Sequence, residues 1–255
     1  MATLAEAAGL ADPTGLPDLR GAAAEDVLRW AVDEFFPDIA VACSMQDAVV
    51  VDLACRIEPR IEVFFLETGF HFAETLATAE RVRERYPLPV VTLKPAPGAA
   101  VYSNDGVEAC CRDRKVRPME RYLAGKRAWV SGLRRDESPS RANAQPVEWD
   151  AARGLVKVNP IVAWSDDDVE RYCARHNVIR NPLRERGYAS IGCWPCTLPG
   201  KGRDGRWAST GKLECGLHDA RPVPGPAAAQ GSKANGSSGS NGCNRSNGSN
   251  GEAAG

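Results

Sequence analysis

No apolar stretch in the 255 residues approaches the ~20 needed to cross a bilayer, so the pattern excludes a spanning helix and gives no membrane role. Met1 to Leu19 has neither a basic start nor a sustained apolar run, which predicts no signal peptide. Net charge is almost missing. Lys and Arg number 32 against 33 Asp and Glu, leaving −1 and no global pull toward nucleic acid. No internal repeat is visible. Cysteine, by contrast, is plentiful at nine, an odd count without the context of a small secreted scaffold. In a reducing cytoplasmic setting such cysteines serve metal binding or catalysis more often than disulfides. With 43% hydrophobic and 25% charged residues, the chain is ordinary for a globular protein that builds its core without staples.

Four of the cysteines form two pairs, Cys110-Cys111 and Cys193-Trp194-Pro195-Cys196. The C-x-x-C lets two thiolates meet one metal centre from a single turn. Adjacent side chains diverge by about 100° on a helix and point to opposite faces on a strand, so Cys110 and Cys111 suit one compact ion poorly. A cluster with metal at several corners accepts both. Thiolate-only ligation of this kind belongs to iron–sulfur clusters or to zinc. As simple packing residues, the adjacent pair would be buried small hydrophobes.

Residues 1–20 are rich in Ala, Pro and Gly and read as a flexible N-terminus. Val27, Leu28, Ala31 and Phe35 recur at helical spacing, which predicts an amphipathic helix over 23–36, ended by Pro37. Ile39–Ala42 reads as a short buried strand, residues 43–47 as a polar loop, and residues 48–54 as a helix. A strand, polar loop and helix in that order can cradle phosphate on the free N–H groups of the helix start. Val63–Leu66 and Val90–Leu93 are two more strands, with a helix over 71–86 between them. Three β-then-α units argue for a parallel sheet with helices on both faces, whose ligands sit at the carboxyl ends of the strands. Residues 95–109 carry Pro95, Pro97, Gly98 and Asn104-Asp105-Gly106 and read as a mobile loop. From Cys110 to Arg141 ten Lys/Arg face four Asp/Glu, which leaves the rest of the chain about −7. Such a run is either a solvated face or an anion site, because Arg forks match phosphate and sulfate oxygens. Ala128–Ser131 predicts a fourth strand feeding a polar loop at Gly132, where a ligand can approach the backbone. Leu155–Ile161 reads as a strand interrupted by Asn159-Pro160, and Ser165 begins a capped helix with Val169, Tyr172, Cys173 and His176 on one face. Cys43, Cys55, Cys173 and His176 read as packing residues. Residues 222–255 are Gly, Ser, Asn and Ala with little to bury, which predicts a disordered tail after a single catalytic domain over 21–221.

Several motifs occur together: Glu108-Ala109-Cys110-Cys111-Arg112-x-Arg114-Lys115, Gly132-Leu133-Arg134-Arg135-Asp136-x-Ser138, Asn181-Pro182-Leu183, Gly187-Tyr188-x-Ser190-Ile191-Gly192-Cys193-x-x-Cys196-Thr197, Arg203-x-Gly205-Arg206-Trp207 and Glu214-Cys215-Gly216-Leu217-His218. In this order they resemble bacterial assimilatory adenylyl-sulfate (adenosine 5′-phosphosulfate) reductases over residues 25–218. The resemblance implies an α/β fold similar to the adenine-nucleotide α-hydrolases, with a parallel sheet flanked by helices. It implies a 4Fe–4S cluster on Cys110, Cys111, Cys193 and Cys196, and Cys215 as nucleophile. By motif position Lys115, Arg203, Arg206 and His218 resemble the residues that hold the phosphosulfate, with Arg141 a further candidate, while Leu66 and Gly132 resemble backbone contacts to the nucleoside. The reaction implied is reduction of the nucleotide to sulfite and AMP, with thioredoxin or a glutaredoxin-like dithiol as reductant. Leu66-Glu67-Thr68-Gly69 stands where the family has Leu-Asp-Thr-Gly, Cys43 stands where a serine is common, and the loop before Cys110 looks short.

Other readings differ in stated features. A reductase of 3′-phosphoadenylyl sulfate usually lacks both cysteine pairs, although use of both substrates is compatible with them. An ATP-pyrophosphatase of RNA thiolation would carry a Gly-rich Ser-Gly-Gly-x-Asp-Ser loop where this chain has Ser44-Met45-Gln46-Asp47. A zinc-held nucleic-acid binder would use the basic 110–141 stretch, but adjacent cysteines fit zinc badly and the net charge is wrong for it.

Overall fold

The computed structural model describes residues 15–208, 210, 212 and 214–218. The expectations for residues 1–14 and for the 222–255 tail lie outside the described residues. In chain order the elements are α1 (Ala24–Phe35), β1 (Ile39–Ala42), α2 (Val49–Ile57), β2 (Glu62–Leu66), α3 (Ala73–Arg85), β3 (Val90–Leu93), α4 (Tyr102–Cys111), α5 (Arg117–Leu123), β4 (Ala128–Val130), β5 (Val147–Asp150), β6 (Leu155–Val158) and α6 (Asp166–His176). The strands form one sheet in the order β3-β2-β1-β4-β6-β5. All neighbours are parallel except β5, which runs antiparallel to β6 at the edge.

The alternation of side chains across the strands sorts them into two cores. Ile39 and Val41 of β1, Val63 and Phe65 of β2, and Val130 and Val158 of β4 and β6 share one apolar cluster with α1, α2 and α6. Ala40, Phe64 and Trp129 point the other way and pack with Met119 and Leu123 of α5. The sheet is therefore covered on both faces, as parallel sheets require, and its strands are short runs of Val, Ile, Phe and Ala. Inside the first core, Asp52 of α2 accepts from Tyr172 Oη at 2.8 Å, Tyr86 Oη at 3.2 Å and Arg56 Nε at 2.7 Å, which ties α2 to α6 and to the end of α3.

The α/β architecture matches the sequence expectation, with three local departures. The stretch expected as a mobile loop over 95–109 instead contains α4. The Asn104-Asp105-Gly106 turn signal is expressed as a kink inside it, since Gly106 takes φ +80° and ψ 167°. The second departure is β5, which the pattern of Val147-Glu148-Trp149-Asp150 did not announce and which pairs with β6 through tertiary contact. Third, β6 stops at Val158, because Asn159-Pro160 turns the chain. The cap at Ser165 is as expected: Asp168 N donates to Ser165 Oγ at 3.2 Å and Ser165 N to Asp168 Oδ2 at 2.8 Å.

β1 and β4 are adjacent, but the chain between them runs outward through β2 and β3 before it returns. This is the point where strand order reverses, and a crevice opens there beyond the carboxyl ends.

Candidate active site

The loops after β1, β2 and β4 converge at that crevice on a cavity of ≈ 210 Å³. Leu66, Lys115, Gly132, Arg141, Cys193, Arg203, Arg206, Cys215 and His218 all line it. Nine positions singled out in the sequence, spread over more than 150 residues, are thus brought to one wall. Cys111 and Cys196 lie just behind that wall, packed with Trp207, Cys215 and Leu217.

The first loop is held from outside. Asn181 is buried and donates Nδ2 to Met45 O and to Thr75 Oγ1, each at 3.1 Å, while its Oδ1 caps Leu183 N. The Gln46 side chain accepts from Ile191 N at 2.9 Å. The Asn-Pro-Leu motif therefore fixes a loop 136 residues upstream. Met45 holds φ +61° there, an uncommon conformation for a residue with a side chain. Cys43, expected as a packing residue, is buried and also borders the cavity, and burial pushes its thiol up to about 12.

After β2, Thr68 Oγ1 lies 3.2 Å from Cys193 Sγ. His71, which the sequence reading did not select, lines the same cavity. Its Nε2 hydrogen donates to the Leu66 carbonyl at 2.8 Å, and burial lowers its pKa, so the ring is neutral with Nδ1 as an acceptor. The signal available for it was position alone, five residues past the end of the strand.

Cys110 and Cys111 close the last turn of α4, and Arg112–Val116 continues as a wide π-type turn. Such turns are frequent at functional sites because they re-aim side chains. Arg114 leaves this turn to donate to Ala100 O at 2.6 Å, Thr68 O at 3.0 Å and Ala99 O at 3.0 Å, with its guanidinium 4.8 Å from the Phe70 ring centroid. It staples two loops together. Lys115 is buried and faces the thiols. Burial opposes its charge, but Cys193, Cys215 and Cys111 around it hold its pKa above the ordinary lysine value.

Arg206 lies flat on Gly192. A Cβ at residue 192 would come within 2.3 Å of Arg206 Nη2, so a glycine is what allows the guanidinium to settle there. Arg206 Nη1 donates to Ser190 Oγ and Ile191 O, both at 3.3 Å. Beneath it, 4.4 Å away, is the Trp207 ring. Trp207 is buried with φ +51°, so the chain holds a bulky residue in a left-handed conformation at this wall. His218 stacks on Trp129 with centroids 5.7 Å apart. Burial, then the nearby Arg141, Lys157, Arg203 and Arg153, keep its pKa well below 6.5, so it is a neutral imidazole at pH 7. Arg141 and Arg203 both meet the Glu214 carboxylate.

The four paired cysteines are free thiols, and Cys110, Cys111 and Cys193 are buried. Burial pushes Cys111 up to about 11 and raises Cys110 and Cys196, and the neighbouring Cys193 works in the same direction on each. Among the described residues no three His, Cys, Asp or Glu side chains converge as the ligands of a single ion would. No described helix is long and apolar enough to cross a membrane.

A family model described as the phosphoadenosine phosphosulfate reductase domain matches residues 38–199. The chain is 46% identical over 217 residues to an adenosine 5′-phosphosulfate reductase of Mycobacteroides abscessus, covering 80% of this chain and 91% of that protein. It is 46% identical over 229 residues to one of Streptomyces coelicolor, covering 85% and 96%. The solved phosphoadenylyl-sulfate reductase of Candida auris, a phosphate complex, superposes with a TM-score of 0.59 at 25% identity over 71% of this chain and 92% of that one. The fold alone is shared with the FMN adenylyltransferase of Candida glabrata, at a TM-score of 0.54 and 16% identity over 70% and 65%. By the match of one family model to well over half its length, and by relatives at 46% identity, the chain belongs to the phosphoadenosine phosphosulfate reductase family.

Proposed function

We propose that this protein reduces adenosine 5′-phosphosulfate to sulfite and AMP for sulfate assimilation, with Cys215 as nucleophile. The observation that carries the reading is Cys215 on the wall of a cavity that Lys115, Arg203, Arg206 and His218 also line. The relatives' names supply the substrate class. Buried polar atoms without a protein partner, Arg206 Nε, His71 Nδ1 and His218 Nδ1, lie at this crevice and suit a polar ligand.

The chemistry follows from the electrophile. The substrate carries a sulfuryl group on a phosphate, and a soft thiolate is the fitting nucleophile for sulfur. Cys215 Sγ attacks the sulfuryl sulfur, the S–O bond breaks, and AMP leaves with the electron pair. The product on the protein is a cysteine thiosulfonate. Charge grows on the departing phosphate oxygens, where Lys115 and Arg206 stabilise it from fixed positions. Neutral His218 adds a hydrogen bond without further charge, while His71, whose Nδ1 is an acceptor, takes a hydrogen from a donor group of the nucleotide. A thiolate of a dithiol protein, most simply thioredoxin, then attacks Cys215 Sγ and expels sulfite. Its second thiol resolves the mixed disulfide, so the dithiol supplies both electrons and Cys215 returns as a thiol.

Cys110, Cys111, Cys193 and Cys196 would hold a 4Fe–4S cluster. The donor set fits: four thiols, none in a disulfide, and three of them buried. Without a cation, buried thiols stay protonated, whereas metal ligation makes them thiolates. When bound, the cluster would supply a compact charge and a rigid anchor behind Cys215.

Two assays test the reading. Sulfite release with thioredoxin should be faster from adenylyl sulfate than from its 3′-phosphorylated form. Without thioredoxin, one AMP per chain should appear and peptide mapping should find one SO3 group on Cys215, absent in Cys215→Ser. An adduct on another cysteine, or steady turnover by the serine variant, overturns the mechanism.

A further inference from the structure

Glu214 immediately precedes Cys215, and the reaction above gives it no task. Its side chain is only 10% exposed. Arg141 grips it with two nitrogens, Nε to Oε1 at 2.8 Å and Nη2 to Oε2 at 3.0 Å. Arg203 Nη2 donates to Oε2 at 3.0 Å, and Ser140 Oγ lies 3.4 Å from Oε1. The remaining nitrogen of Arg141, Nη1, is bonded to Glu137. Arg141 is therefore shared between two carboxylates, although it lines the cavity. Burial alone would favour protonated Glu214, but Arg141 and Arg203 hold its pKa below the ordinary value, so the group is ionic.

A second tie on the same stretch joins Lys212 to Glu108. Glu108 is 76% exposed, so solvent screens that pair and it contributes little. The enclosed group around Glu214 is the strong one. It joins the residue beside Cys215 to the short Pro139–Arg141 turn, not one core element to another. Cys215 itself is 9% exposed, packed against Cys111 and Trp207.

We propose that Glu214 is a positioning residue: with Arg141 and Arg203 it clasps the segment carrying Cys215 against the cavity and so sets the thiol for attack. Arg141 acts through Glu214 and not on the substrate, which leaves the sulfate and phosphate oxygens to Lys115 and Arg206. This inference rests on Cys215 being the nucleophile. The two arginines gain a fixed partner, and the thiol gains a fixed place, from one carboxylate. Release of the same clasp exposes Cys215 to the dithiol.

Opening can be read without any activity, because a buried thiol is alkylated only in proportion to the open population when reclosing is fast. The probe is iodoacetamide at fixed pH on the full chain purified without air, with Cys215 followed by peptide mapping. Glu214→Gln should raise the Cys215 rate about tenfold or more, Arg141→Met should do the same, and the double variant should add little to either. Glu214→Asp, which keeps the charge, should fall between. In turnover, Glu214→Gln should lower kcat about tenfold while KM for adenylyl sulfate is not raised, because it frees arginine charge instead of removing it. A general loss of structure would raise KM and lower the melting temperature together. Alkylation of folded Glu214→Gln at the wild-type rate overturns the clasp, as does a fall in kcat matched by a rise in KM. Should the Gln variant not fold, Arg141→Met and Glu214→Asp read the same opening with the same two outcomes. If no variant and no wild type reduces adenylyl sulfate, the reaction proposed above fails while the alkylation rates still decide the clasp.

Discussion

Arg206 shows how a single side chain in this site depends on what lies beneath it. Its guanidinium sits between the Trp207 ring and the backbone of Gly192, a slot that a Cβ at residue 192 would fill. Arg206→Ala should weaken use of the substrate by ~1.5–3 kcal/mol, or roughly 10- to 150-fold in kcat/KM, by loss of a charge-assisted contact. Gly192→Ala should reproduce most of that loss with Arg206 still present, because the displaced end of the side chain no longer points where it did. Steady-state kinetics at low salt checks both. Wild-type kcat/KM in both would mean that Arg206 makes no contact with the substrate. The arginine was legible in the sequence as part of a motif. Its dependence on Gly192 was not, since the two are fourteen positions apart and touch only because Thr197 and Arg206 pair across the 193–206 turn.

Among the elements, α4 and the wide turn after it carry the most chemistry. They bury Cys110 and Cys111, send Arg114 outward as a staple and Lys115 inward to the thiols. A regular helix over 102–123 would place Lys115 differently, because the wider turn shifts its angular position. The four cysteines should bind about four iron atoms per chain in protein purified without air, giving a brown colour. Serine at any one of them should reduce both iron content and colour, measured by iron analysis and absorption spectroscopy. A colourless, zinc-loaded and fully active protein would contradict this. The Asn-Asp-Gly turn signal at 104–106 was legible, but helical turns on both sides of Gly106 were not. Only Cys110 and Cys111 at the end of α4 are buried, and the local residue preferences around Gly106 favour loop.

For the whole molecule, the charges buried around the cavity make stability depend on pH. His218 is enclosed and its folded pKa lies well below 6.5, so the unfolded chain binds its proton first as pH falls. Stability is complete above about 6.5 and declines below it by at most about 1.4 kcal/mol per pH unit for this one group. Glu214 acts at lower pH in the same direction. Its folded pKa is depressed below 4.5, so its contribution is present above that value and lost as acid titrates it. Denaturant melts at pH 7.5 and 5.5 should differ, and His218→Gln should shrink the difference. An unchanged difference would mean that other groups set it.

Apolar spacing along the chain was enough for β1 to β4, β6, α1, α2, α3 and α6, because spacing over four to eleven residues is a local property that burial on either sheet face then exploits. The sequence by itself also determined which cysteines form pairs and which motif holds Cys215, since those are matters of neighbours along the chain. The fold was needed to make β5 the antiparallel edge and to bring His71 to the site. It alone decided that Arg141 is committed to a carboxylate 73 residues away. Charges are blind to sequence separation. Whether an arginine meets a substrate or a glutamate depends on which side chain the folded backbone brings within 3 Å, and that distance is set by the packing of the whole sheet and its loops.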